Sequence, residues 1–122
     1  MNVEEITQDW KKEHFISYIF LCIAAADYDV AEEEVNVLKD RIAEIVGEGV
    51  NIQSAINEVR EDVDYHDDEE KTEVIAHYNK VFAPSLEEKE LIFNILEDII
   101  KADGVVEGIE MVILRFIKKA LG

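Results

Sequence analysis

The sequence predicts an all-α fold, a compact helical bundle of about six helices, on three observations. Apolar residues recur three and four apart through most of the chain. No segment sustains the two-residue alternation of a strand with turn residues at its ends. One Pro and five Gly among 122 residues leave long stretches free to run as helix. The hydrophobic share of 48% is enough for a real core, and the length suits a single domain, 1–122.

The first helix is expected over 8–26. Its second half is apolar almost all round, the mark of a helix at the centre of a bundle. The second begins near Ala31 and sets Val35, Leu38, Ile42, Ile45 and Val46 on one face, with Gly47-Glu48-Gly49 ending it. Asn51 is placed to cap a third helix, whose Ile52, Ala55, Ile56, Val59 and Val63 fall at helical spacing. Asp67 or Asp68 caps a fourth, with Val74, Ile75, Tyr78, Val81 and Phe82 inward and Pro84 as its stop. Ser85 and Glu88 read as a capping box opening a fifth helix, which turns Ile92, Ile95, Leu96, Ile99 and Ile100 inward. The sixth carries the stripe Ile109, Val112, Ile113, Phe116, Ile117, Ala120 and Leu121, with Arg115, Lys118 and Lys119 toward its end, where the helix dipole favours positive charge.

The charge is lopsided: 12 Lys plus Arg against 29 Asp plus Glu, or 12 − 29 = −17. Such a surface repels phosphate backbones and disfavours nucleic-acid binding and docking on anionic lipid. It favours cations and a protein partner with a basic surface. The run 15–26 is too short to span a bilayer, which takes about 20 residues, so no direct membrane insertion is expected. The start Met1-Asn2-Val3-Glu4-Glu5 is acidic, unlike a signal peptide, and a cytoplasmic location follows. Cys22 is the one cysteine, so no intrachain disulfide can form, and its apolar surroundings suggest a buried, inert thiol.

The two ends of the chain repeat. A shift of 102 − 26 = 76 positions aligns Ala26-Asp27 with Ala102-Asp103, Val30 with Val106, Glu34 with Glu110 and Leu38 with Leu114. It also aligns Ile19 with Ile95 and Ile23 with Ile99. Each copy is a helix, a turn opened by Asp, and a second helix with Glu in its first turn. The repeat elements are 15–46 and 86–121, and 51–83 is a helical connection between them.

The second copy reads Ala102-Asp103-Gly104-Val105-Val106, then Glu110 and Leu114. This Ala-Asp-Gly-x-Val-x-x-x-Glu-x-x-x-Leu pattern resembles the signature of TerB-like tellurite-resistance domains. The resemblance covers 15–42 and 91–120; in the first copy Tyr28 stands where the pattern has Gly. It implies an all-helical domain acting in bacterial responses to tellurite and related toxic agents. Domains of this family also occur beside J-domains in co-chaperones, and their acidic residues are associated with cation binding. The resemblance implies no enzymatic activity.

Asp27, Glu34, Asp103 and Glu110 are the candidate site. As structural groups, each Asp accepts turn amides and each Glu satisfies free N–H groups at the next helix start. As ligands, the four carboxylates would converge on a hard divalent cation, Ca²⁺, Mg²⁺ or Mn²⁺. The spacing is not that of an EF-hand: counting Asp27 as position 1 puts Leu38 where the bidentate Glu belongs. A second candidate is the acidic stretch 58–73, either a solvated helix surface or a docking patch for a basic partner. His14, His66 and His77 lack metal-ligand spacing with one another or with Cys22; His66, beside Asp67 and Asp68, stands out among the three and still reads as a loop residue. No nucleophile elbow or Gly-rich phosphate loop is present. The expectation is a non-enzymatic TerB-like binding module in a stress response; the alternative is a divalent-cation-binding protein.

Overall fold

The computed structural model describes residues 10–24, 32–47, 49–102, 115, 118 and 119. Among them it has five helices and no strand: α1 Lys12–Ala24, α2 Glu32–Val46, α3 Ile52–Tyr65, α4 Asp68–Phe82 and α5 Leu86–Ala102. Residues 115, 118 and 119 are helical as well. The rest of the expected sixth helix, and both turns of the repeat, lie outside the described residues.

α1 forms the centre and packs against all four other helices. Phe15 to Cys22 are buried without a break, and Phe15, Tyr18, Ile19 and Phe20 are fully enclosed. A helix enclosed on every side needs no polar stripe, which is why its sequence shows almost no amphipathic period. Ser17, the polar exception in the run, donates its hydroxyl to the Glu13 carbonyl one turn back at 2.6 Å, and so enters the core already paired.

The helix begins at Lys12, later than the expected position 8. Trp10 precedes it, yet is buried, stacked on Tyr78 at 5.3 Å and tilted against Tyr18 at 4.9 Å. Aromatic docking therefore mimics in sequence the apolar period of a longer helix. The Lys11 N–H donates to His14 Nδ1 at 3.2 Å, using an imidazole to satisfy a donor at the helix start.

Around α1 the outer helices each bury one face. α3 buries Ile52, Ala55, Ile56, Val59 and Val63, the full expected set. α2 buries Leu38 and Ile42, with Ile45 and Val46 partly covered, and closes on Gly47 at φ +92°, a conformation that costs glycine nothing. α5 buries Ile92, Ile95 and Leu96. The repeat-related Ile19 and Ile95 are thus both core residues.

α4 departs from expectation at one position. Val74, Ile75 and Tyr78 are buried and Phe82 partly so, but Val81 is 56% exposed. Phe82 stacks on Phe15 and Tyr78, which turns the neighbouring Val81 outward.

Asn51, Asp67 and Ser85 stand at the helix starts where the sequence places them as caps. Asn51 Oδ1 accepts the Ser54 N–H at 3.1 Å. Asp67 and Glu70 form a reciprocal capping box at 2.8 and 3.1 Å. Ala83 closes α4 in the left-handed region at φ 42°, directly before Pro84. Ser85 Oγ accepts the Glu88 N–H at 3.1 Å. The Glu88 carboxylate, expected to reach back within this cap, instead pairs with Lys12 and joins the starts of α1 and α5. That contact holds its carboxyl below the usual range. Arg41 on α2 bonds Asp98 on α5 at 3.1 Å, and Lys118 lies against Glu97 and over the Phe93 ring.

Candidate functional site

Of the four residues expected to form a cation site, Asp27, Asp103 and Glu110 lie outside the described residues. Glu34 falls within α2, but its side chain is not among those described. Among the described residues, no group of three or more His, Cys, Asp or Glu is arranged to hold a metal ion.

The acidic stretch is placed clearly. It occupies the outer faces of α3 and α4 and the turn between them. The same period that buries Val59 and Val63 sends Glu58, Glu61 and Asp64 to solvent. Across the turn Asp67, Glu69 and Glu73 are exposed, while Asp62 and Glu70 are half-buried. Three of the carboxylates have local work: Asp67 and Glu70 in the cap, and Glu58 in a pair with His14 of α1. In the midst of these charges stands Tyr65, 88% exposed at the last position of α3. An aromatic ring left in water beside clustered carboxylates offers a flat apolar surface and a negative field together.

Beneath this face lies a feature that the sequence reading did not identify. His66, expected as a loop residue, sits in the α3–α4 turn but is buried. Its Nδ1 lies 2.8 Å from the Tyr18 hydroxyl, with the rings edge to face. Tyr18 is fully enclosed, and burial pushes its phenol strongly up, with Cys22, Asp62 and Glu70 adding to the effect. Asp62, one turn before His66, has its carboxyl raised chiefly by burial; His66 pulls it back and Glu61 adds to the rise. The one hint in the sequence was Tyr18 itself, since a hydroxyl inside an apolar run needs a partner. Which partner depends on a contact across 48 positions, beyond the reach of local pattern.

Cys22 is buried, as its surroundings suggested. Among the described residues, no helix is long and apolar enough to cross a membrane. No protein-family model, curated protein or solved structure matches the chain.

Proposed function

We propose that the chain is a non-enzymatic, acidic, TerB-like helical module that works by binding, in a bacterial response to tellurite or related toxic agents. Its docking surface is the α3–α4 face, and its partner is a protein with a basic surface. The observation that carries this reading is Tyr65, 88% exposed among the solvent-facing carboxylates Glu61, Asp64 and Glu69. Tyrosine is over-represented at protein interfaces because one ring supplies both apolar area and a polar tip. The surrounding charge steers a basic partner and opposes an acidic one. The family part of the reading rests on the duplicated Ala-Asp…Glu…Leu pattern.

The test is survival of a bacterial host under tellurite, with and without the chain, together with cross-linking capture of its partner. Expected are protection by the native chain, loss of protection with Glu61→Lys, Asp64→Lys and Glu69→Lys combined, and a captured partner whose binding weakens with salt. Equal survival with and without the chain removes the stress-response assignment. Capture unaffected by charge reversal removes the docking face.

The duplication also favours a second reading, a weakly bound Ca²⁺, Mg²⁺ or Mn²⁺ held by Asp27, Glu34, Asp103 and Glu110. A ligand that binds only the folded chain stabilises it by about 2.7 kcal/mol at a hundredfold excess over Kd. Thermal unfolding in millimolar divalent salt, against monovalent salt of equal ionic strength, decides it. Equal Tm values end the cation reading.

A further inference from the structure

The turn between α3 and α4 is two residues long, and they serve opposite ends of the connection. Asp67 caps α4, and His66 closes α3 through its N–H to the Asp62 carbonyl at 2.8 Å. The His66 side chain does a third thing: it reaches inward to the central helix and meets the Tyr18 hydroxyl. Both side chains are buried, Tyr18 completely. Which of the two donates across the 2.8 Å depends on the imidazole tautomer: with hydrogen on Nε2, His66 Nδ1 accepts the phenol proton. In that tautomer the imidazole is neutral and Nδ1 is free to accept.

We propose that the Tyr18–His66 hydrogen bond is a pH-operated latch, which pins the α3–α4 corner to the central helix while His66 is neutral and releases it when the imidazole takes up a second proton. The proton comes from solvent and enters Nδ1, the atom that accepts the phenol. The phenol then faces a donor, and its own O–H loses its acceptor inside the core. The imidazolium has another attraction close by, the half-buried Asp62 carboxylate one turn back on α3. Other titratable groups that act on Tyr18 or Asp62 are Cys22 on α1, Glu61 on α3 and Glu70 on α4. Histidine is the side chain whose charge ordinarily changes between about pH 5 and 8. The latch does not depend on what the acidic face binds.

The experiment compares the effect of Tyr18→Phe on the unfolding equilibrium at about pH 8 and about pH 5. It is run in the native chain and in His66→Asn, whose amide oxygen can accept from the phenol but does not titrate. In the native chain Tyr18→Phe raises the unfolding constant about five-fold at the higher pH and leaves it nearly unchanged at the lower. In His66→Asn the effect is the same at both. Taking the difference at each pH cancels pH effects that arise elsewhere in the chain. An equal effect at both pH values in the native chain overturns the latch. Should either variant fail to fold, nitrogen NMR of the native imidazole decides. The latch requires hydrogen on Nε2 alone at the higher pH and on both nitrogens at the lower; hydrogen on Nδ1 at the higher pH overturns it.

Discussion

α1 and α3 form the most extensive helix–helix contact among the described residues, yet they stand in opposite relations to water. α1 is buried from Phe15 to Cys22 on every side. α3 buries one stripe of five residues and gives the rest of its surface to solvent and acid. What fixes a residue therefore differs between them. In α1 each side chain is constrained by volume, because neighbours enclose it all round and the site cannot collapse. In α3 a residue is constrained mainly by its place in the period, and its outer positions are held by charge and solubility.

The largest expected effect tests this difference directly. Phe20→Ala in α1 should destabilise by about 4 kcal/mol, and Ile56→Ala in α3, also fully buried, by about 3 kcal/mol. Urea unfolding of the two variants makes the measurement. A smaller loss at Phe20 than at Ile56 would mean that α1 is central in position but not in energy.

A middle effect concerns how the outer layer is held at its ends. Asp67→Ala removes one side of the capping box on α4 and should cost about 1 kcal/mol in thermal or chemical unfolding. An unchanged Tm would show that the α3–α4 turn is held by His66 and the core rather than by its cap.

Two carboxylates give smaller effects of opposite sign with pH. Asp62 is raised above its unfolded value by burial, so the folded chain holds its proton more tightly. Stability from this group is present in acid and lost as pH rises through the folded value. Asp62→Asn should therefore raise Tm at neutral pH, with the gain fading in acid. Glu88 is lowered, chiefly by its hydrogen bond with Lys12. Its contribution is present above the ordinary glutamate value and lost as pH falls through the folded one. Glu88→Gln should lower Tm at neutral pH, with the loss fading in acid. Melting curves across acidic and neutral pH check both, and a common sign would contradict the two environments. The smallest effect belongs to Tyr65→Ser, within about 0.5 kcal/mol in denaturant, because the ring contributes little to packing. A larger loss would move Tyr65 from the docking surface into the fold.

The same contrast explains what could be read from the sequence. The buried face of α3 was fully legible, because one solvent-facing side imposes a period, and Asn51, Asp67 and Ser85 announced their caps by residue type. The centrality of α1 was legible from its lack of a polar face. Its start was not, since Trp10 docks from outside the helix yet fits its apolar pattern. Val81 was misplaced because stacking among Phe15, Tyr78 and Phe82 settled which of two adjacent residues turned inward. For the acidic face, composition gave the charge, and the structure gave the exposure of Tyr65 within it. The pairing of His66 with Tyr18 was out of reach, because neither residue's surroundings in sequence contain the other. Asp27, Asp103, Glu110 and the side chain of Glu34 lie outside what the structure describes, and their role rests on the repeat.

Trp10 is the single tryptophan of the chain, and its ring lies within 5.3 Å of both Tyr18 and Tyr78 by centroid. The molecule thus contains one indole fluorophore, shielded from water and flanked by two of its four tyrosines. Light absorbed by those two phenols passes to the indole over a few ångströms, so emission excited through tyrosine depends on Trp10 remaining docked. Because Tyr18 also holds His66, a change at the α3–α4 corner reaches the indole through one ring. An unlabelled sample in a cuvette therefore reports on both the start of α1 and the corner that packs against it.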